Sequence, residues 1–188
     1  TVVWHGQDRR ERAEKLKEVD LVLTSYALVR RDVDALSQIP FRYVLADSIY
    51  GENPDFIEAV EQRTGVSYFV SVQADTLCWL TTPITCEKTY RYKGKIKKKT
   101  VLHPAEKKPI SVASIARSIN DFFWYRRKVS EGAKGPIEYE FTKRRVVLSR
   151  NGNPHKSIWL IIRRTLESNP VYTYFLSNAP LSTRLKTF

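Results

Sequence analysis

The sequence predicts an α/β fold that continues into a basic second half rich in β-strands. Short apolar runs alternate with helix-like segments as far as residue 72. From Asp75 to about Pro109 the pattern becomes irregular and basic, and several runs of β-forming residues follow it. The apolar content of 42% and aromatic content of 12% are those of a globular protein.

The first 46 residues predict a strand, a helix, a strand, a helix and a strand in that order. The strands are expected at residues 1–4, 21–23 and 41–46, and the helices at residues 8–19 and 27–36. This alternation predicts one continuous layer of parallel strands covered by helices.

The next elements carry clear local signals. Asn53-Pro54 predicts a helix start, because Asn caps helices and Pro is tolerated in the first turn. A strand is expected at residues 67–72 and a short helix at residues 111–122. The remaining strands are expected at residues 137–141, 145–148, 157–164 and 171–176.

The charge is divided unevenly along the chain. Residues 1–87 hold 9 Lys and Arg against 14 Asp and Glu, a net charge of −5, whereas residues 88–188 hold 23 against 6, a net of +17. A strongly basic segment with aromatic residues among its charges favours a polyanionic partner, and nucleic acid fits best. A solvated basic surface that only maintains solubility is the alternative.

Other features set the expected cellular context. No apolar run reaches the roughly 20 residues of a membrane span, so we expect no membrane partner. Two cysteines do not make a disulfide framework, which favours a reduced cytoplasmic setting. For a DNA-binding protein we expect association with the nucleoid. The chain contains no Met, which favours a segment of a longer reading frame.

The N-terminal segment HGQDRRERAEKLKEVDLVLTSYALVRRD, within residues 1–37, resembles the Swi/Snf-type helicase-like ATPases. In that family the next strand ends in an Asp-Glu pair that serves ATP hydrolysis. This chain has Asp47-Ser48 there and lacks the phosphate-binding loop, so we expect no ATP site.

A longer resemblance covers about residues 39–188. PFRYVLADSIYGENPDFIEAVEQRTGVSYFVSVQADTLCW, EGAKGPIEYEFTKRRVVLSRNG and SIWLIIRRTLESNPVYTYFLSNAP occur in the same order in insertion-sequence DDE transposases. We identify this part as similar to the IS four-like clan of DDE superfamily endonucleases. The resemblance implies a ribonuclease-H-like mixed sheet with helices and a β-rich basic insertion at residues 74–165. Together the two resemblances imply a helicase-like segment at residues 1–38 joined to a partial transposase domain at residues 39–188.

The resemblance makes Asp47 the second of three catalytic carboxylates. Such carboxylates bind Mg²⁺ or Mn²⁺ for cleavage and transfer of DNA strands, because these ions prefer oxygen ligands. The first carboxylate is expected upstream of this chain and the third downstream of it, so we expect an incomplete domain without turnover. The alternative for Asp47 is a strand-end residue that caps a turn. Tyr50-Gly51 would form the turn by which the chain leaves the site.

Clusters of cations are the candidate nucleic-acid contacts. They are Lys93, Lys95, Lys97, Lys98, Lys99, Arg126, Arg127, Lys128, Lys143, Arg144 and Arg145. Contacts of this kind go mainly to phosphates, so they are sensitive to salt and largely independent of sequence. A lysine-rich loop or edge strand that is merely solvated is the alternative.

The remaining candidates are weaker. His5, His103 and His155 have no metal-ligand spacing, so a zinc site is not expected. Four further aspartates could replace a missing carboxylate, although capping and surface roles fit them better: Asp8, Asp20, Asp32 and Asp34. Trp79 and Trp124 could stack on an extruded base, although core packing fits them better.

The sequence therefore predicts a partial DDE transposase that binds DNA, with a homo-oligomer as one possible assembly. The alternatives are a DNA-binding fragment of a helicase-like ATPase and a DNA-binding protein without catalytic activity.

Overall fold

The computed structural model describes residues 1–51, 53–63, 65–133 and 135–185. The chain divides into two units, Thr1–Arg42 and Tyr43–Phe188. These units are defined by contacts within the chain and do not test whether its two parts derive from different families. The division into segments 1–38 and 39–188 therefore stays a prediction.

The N-terminal unit is built on two parallel strands, β1 (Val2–Trp4) and β2 (Val22–Thr24), joined through a 3₁₀ helix at Gln7–Glu18. Helices α1 (Tyr26–Arg31) and α2 (Val33–Ser37) follow. The core of this unit consists of Trp4, Leu16, Leu28, Leu36 and Ile39.

Two expectations for this unit need correction. The helix expected at residues 27–36 is interrupted at Asp32, which lies between α1 and α2 with φ −113° and ψ 27°. The expected continuous parallel layer does not form either. Strands β1 and β2 make a sheet of their own, and the third predicted strand, β3 (Tyr43–Ala46), belongs to a different sheet.

The second unit is organised by a mixed eight-stranded sheet. Its other strands are β4 (Ser67–Val72), β5 (Leu77–Trp79), β8 (Ile110–Ser111), β9 (Tyr125–Gly132), β10 (Gly135–Arg150), β11 (Asn153–Arg164) and β12 (Tyr172–Ser177). Strands β6 (Thr85–Tyr92) and β7 (Lys95–Leu102) form a separate hairpin in the chain between β5 and β8. The spatial order is β3-β4-β12-β11-β10-β5-β8, and β9 pairs with β10. β3 and β4 are parallel, and the other pairs are antiparallel. This mixed sheet with few helices is compatible with a ribonuclease-H-like fold.

Helices cover one face of this sheet. They are α3 (Ser48–Gly51), α4 (Pro54–Glu61) and α5 (Val112–Ser118), and a 3₁₀ turn follows at Asp121–Phe123. Val60 of α4 and Ile115 of α5 pack with strand residues such as Val70 and Leu160 in the main core. On the opposite face, Trp159 and Ile161 pack with Ala179, which follows β12.

The helix start predicted at Asn53-Pro54 is confirmed in detail. The Asn53 side-chain oxygen accepts hydrogen bonds from the N–H groups of Asp55 at 3.0 Å and Phe56 at 3.2 Å. These bonds satisfy main-chain donors that a helix N-terminus otherwise leaves unpaired.

The region from Asp75 to Pro109 is more regular than expected. It contains an antiparallel hairpin of β6 (Thr85–Tyr92) and β7 (Lys95–Leu102). The linking residues Lys93 and Gly94 have positive φ values of 47° and 74°. Two consecutive positive φ values match the tight type I′ turn, whose twist suits a two-stranded ribbon.

The long strands also differ from expectation. The runs predicted separately at residues 137–141 and 145–148 are parts of the single strand β10, because Thr142, Lys143 and Arg144 continue its pairing with β11. Strand β9 was not predicted, since its run of cations carries no apolar alternation. No helix in the described part of the chain is long and apolar enough to cross a membrane.

Candidate nucleic-acid and metal-binding residues

Asp47 lies at the end of β3, the edge strand of the large sheet, where the chain turns into α3. Its main-chain oxygen accepts a hydrogen bond from the N–H of Gly51 at 2.9 Å. Its carboxylate Oδ1 accepts one from the N–H of Ile49 at 3.1 Å. The residue is exposed. The position thus combines a turn-capping role with a solvent-accessible carboxylate, so the geometry is compatible with both interpretations of Asp47.

Gly51 fixes the path of the chain that follows Asp47. A Cβ atom at this buried position would lie 2.0 Å from the main-chain oxygen of Ser71 in β4. Only a residue without a side chain allows α3 to approach β4 this closely. The glycine is therefore required for a close contact between main chains, and this requirement holds the segment after Asp47 against the sheet.

No complete metal site is present among the described residues. They contain no group of three or more His, Cys, Asp or Glu side chains that could hold an ion. Asp32 is 3% exposed, and its carboxylate accepts a hydrogen bond from the Trp4 indole at 3.1 Å. Asp32 occupies the expected cap position, at the C-cap of α1 and the N-cap of α2, but it is buried in the core rather than placed on the surface. Asp20 and Asp34 are exposed, and the side chain of Asp8 lies outside the described residues.

The β6–β7 hairpin sorts its charges onto two faces. Side chains alternate along a strand, and the register pairs Lys88 with Lys99, Tyr90 with Lys97, and Tyr92 with Lys95. One face, the lysine–tyrosine face, therefore carries these six residues, all exposed: Lys88, Tyr90, Tyr92, Lys95, Lys97 and Lys99. The opposite face carries Glu87, Thr89, Arg91, Ile96, Lys98 and Thr100.

Contacts within the hairpin reinforce this difference. Lys97 Nζ lies 5.0 Å from the centre of the Tyr92 ring, and Lys99 Nζ lies 5.6 Å from that of Tyr90. On the opposite face, Lys98 Nζ forms an ion pair with Glu87 at 2.9 Å. The predicted cluster is thus divided: three of its lysines share a face without an acid, Lys98 is paired, and Lys93 lies in the turn.

The cluster on β9 is partly engaged within the protein. Arg126 forms an ion pair with Glu138 at 2.6 Å, and Lys128 pairs with Glu131. Arg127 donates a hydrogen bond to the main-chain oxygen of Arg126 at 3.2 Å. All three cations are exposed, so these contacts leave them accessible to a further ligand.

The cluster on β10 is divided between the two faces of the sheet. Lys143 Nζ donates to the main-chain oxygen of Thr183 and lies 4.2 Å from the centre of the Trp159 ring. Arg145 lies 5.1 Å from the same ring and donates two hydrogen bonds to Ser157. Burial lowers the pKa of Arg145. Arg144 is on the other face, 4.8 Å from the centre of the Phe123 ring.

The two tryptophans that could have stacked on a base are core residues. Trp79 is 6% exposed and its indole donates to the main-chain oxygen of Lys107 at 2.7 Å. Trp124 is 7% exposed and packs edge-to-face against Tyr172. Cys78 is a buried free thiol and Cys86 is a partly buried one.

Two features were missed by reasoning from the sequence. Tyr90 and Tyr92 were not included among the candidate contacts, although the Lys93-Gly94 turn and the alternation of Lys88, Tyr90 and Tyr92 carried that signal. Asn178 was also missed: its side chain accepts from the N–H of Tyr68 at 2.8 Å and donates to the main-chain oxygen of Val66 at 3.2 Å.

Comparison with known proteins gives a family but no individual relative. Residues 2–136 match the family described as DDE superfamily endonuclease. Neither the curated proteins nor the solved structures gave a match. The family match includes residues 2–37, and nothing found supports the resemblance of that segment to helicase-like ATPases. Because the match covers well over half of its length, the chain belongs to the DDE superfamily endonucleases.

Proposed function

We propose that this chain is a DNA-binding part of a DDE transposase, and that it contributes Asp47 as one carboxylate of a divalent-metal site. The observation that carries the proposal is the family match over residues 2–136, which contains both Asp47 and the β6–β7 hairpin. DDE endonucleases act on DNA.

The chemistry of the family explains the choice of residue. A pair of bound divalent ions activates the attacking oxygen and stabilises the leaving oxygen when a phosphodiester is displaced in line. Asp47 offers the hard oxygen ligand that Mg²⁺ and Mn²⁺ prefer, at a strand end where Gly51 and β4 fix the main chain. One carboxylate does not hold two ions. The proposal therefore makes the described part of the chain catalytically incomplete by itself, with the other ligands supplied from elsewhere.

The lysine–tyrosine face is the proposed DNA contact. Its four lysines project from one side of an exposed ribbon, and no acidic residue lies on that side. Ammonium groups that contact phosphates release counterions from DNA, so binding of this kind weakens steeply as salt rises. A two-stranded ribbon also fits the width of the major groove.

The DNA-binding part of the proposal is tested by measuring affinity for duplexes of unrelated sequence from ~50 to ~200 mM salt, an interval over which binding through phosphate contacts weakens steeply. We expect a steep, similar salt dependence for every duplex. Affinity that is insensitive to salt would contradict it.

The role of Asp47 is tested with Asp47→Asn, which keeps an oxygen to accept the hydrogen bond from Ile49. We expect Mn²⁺ to raise the DNA affinity of the wild type and not that of Asp47→Asn. Asp55→Asn, at another exposed acid, is the matched control and should keep the Mn²⁺ response. An equal response in all three proteins would contradict the metal-ligand role.

Plasmid nicking separates this proposal from full catalytic competence. With Mg²⁺ or Mn²⁺ we expect no nicking by the chain alone. Nicking that is lost in Asp47→Ala would show that the chain is catalytically complete.

A DNA-binding protein without catalytic activity is the second candidate function. It is favoured by the local role of the Asp47 carboxylate, which accepts a hydrogen bond from the N–H of Ile49. It predicts neither nicking nor a Mn²⁺ response. A homo-oligomer that brings several chains to one DNA stays a prediction.

A further inference from the structure

Strand β10 has an open stretch along one edge. On one side it pairs with β11 over most of its length. On the other side it pairs with β9 as far as Phe141 and with β5 from Val147. Within the described residues, no strand pairs with that edge at residues 142–146. At about 3.3 Å per residue the resulting notch is roughly 17 Å long.

An open cavity of about 480 Å³, a surface depression rather than an enclosed pocket, lies at this notch. It is lined by Phe123, Tyr125, Arg127, Thr142, Lys143, Arg144, Arg184 and Leu185. Four of these described lining residues are cationic and none is acidic.

The cations reach the notch from three parts of the chain. Arg127 comes from β9, Lys143 and Arg144 from β10, and Arg184 from the segment after β12. Arg127 and Arg184 are exposed. Burial lowers the pKa of Lys143, since desolvation disfavours its ammonium form, and an anion in the cavity would offset that cost.

The notch also has an aromatic wall. Phe123 and Tyr125 are 43% and 49% exposed, so both rings are accessible to a ligand. Arg144 lies 4.8 Å from the centre of the Phe123 ring on the face of the sheet opposite Lys143, so Tyr125 is the ring on the same face as Lys143. Cations next to exposed rings are the combination by which proteins hold unpaired nucleotides, with phosphates on the charges and bases on the rings.

We propose that the notch at residues 142–146 binds a nucleoside phosphate unit of an unpaired DNA strand. The phosphate lies among Arg127, Lys143 and Arg184, and the base lies against Tyr125. The inference deepens the proposed function, on which it rests, by assigning a single-strand site separate from the lysine–tyrosine face of the hairpin.

Calorimetric titration with a 5′-phosphorylated thymidine trinucleotide tests the assignment. Arg127→Gln and Arg184→Gln each remove one exposed charge from the notch, and each should weaken binding about tenfold, as the loss of a charge-assisted hydrogen bond does. Arg150→Gln is the matched control, because it removes an exposed charge from the far end of β10, outside the lining of the cavity. It should leave binding within about twofold of the wild type, as a distant surface change does.

Three results would overturn the proposal. One is absence of trinucleotide binding by the wild type, and another is equal weakening, or none, in all three variants. The third is binding of inorganic phosphate as tight as that of the trinucleotide, because the site would then select a free anion rather than a nucleotide of a DNA strand. Duplex binding measured in Lys97→Gln/Lys99→Gln tests the hairpin separately, so failure at the notch is distinguishable from failure of the proposed function.

Discussion

Lys97 Nζ lies 5.0 Å from the centre of the Tyr92 ring, on the face of the β6–β7 hairpin opposite Lys98. The ring and the ammonium group attract each other, since the face of an aromatic ring carries partial negative charge. Lys98, its neighbour in sequence, instead pairs with Glu87. Two adjacent lysines with the same intrinsic chemistry are thus directed to different surroundings by strand alternation alone.

Substitution of Gly51 by Ala should destabilise the second unit. A Cβ atom there would lie 2.0 Å from the Ser71 main-chain oxygen, so α3 or β4 must shift. Overpacking of this kind costs about 1–3 kcal/mol, measured as a lower free energy of unfolding in urea. Glu58→Ala, at an exposed position of α4, should be near neutral. A Gly51→Ala protein as stable as the wild type would show that the close approach is not needed.

Substitution of Asn178 should uncouple the segment after β12 from the start of β4. Asn178→Ala leaves the N–H of Tyr68 and the main-chain oxygen of Val66 without their partner, at a cost of about 1–3 kcal/mol. Asn178→Asp can still accept from Tyr68 but cannot donate to Val66, so its stability should be intermediate. Equal stability of all three proteins in urea denaturation would contradict the bridging role of the amide.

The two cysteines should differ in reactivity. Burial raises the pKa of Cys78 to about 12, so its thiol stays protonated and shielded at pH 8. Cys86 is only partly buried. Iodoacetamide at ~pH 8, near the ordinary thiol pKa, should therefore label the folded wild type at Cys86 and leave Cys86→Ser unlabelled until urea unfolds it. Rapid labelling of folded Cys86→Ser would contradict the buried position of Cys78.

Local signals in the sequence were sufficient for some elements. The Asn53 cap was predictable because the amide and the N–H groups it binds lie within three residues of each other. The apolar runs of β4 and β12 were predictable because both strands contribute buried residues to the core, such as Val70 and Leu176. Asp47 was placed correctly at the end of a strand because the apolar run before it, Tyr43–Ala46, forms a strand with a partly buried face.

Pairing over long distances accounts for what the sequence did not predict. Strands β6, β7 and β9 are exposed on both faces over most of their length, so they lack the apolar alternation that marks a half-buried strand. The lysine run was evident, but its division between two faces depends on the register with β6. The notch beside β10 depends on where β9 ends and β5 begins, and no local run of residues encodes that.

The central claim is that one face of the hairpin contacts DNA phosphates, and a matched pair of double variants tests it most directly. Lys97→Gln/Lys99→Gln removes two charges from the lysine–tyrosine face, and Arg91→Gln/Lys98→Gln removes two from the opposite face of the same hairpin. The measurement is the salt dependence of duplex affinity. The first variant should reduce the steepness of log affinity against log salt by about 2, because each of its two lost phosphate contacts is expected to contribute about 0.9. The second variant should leave this slope unchanged. Equal changes in the two variants, or a change only in the second, would contradict the claim.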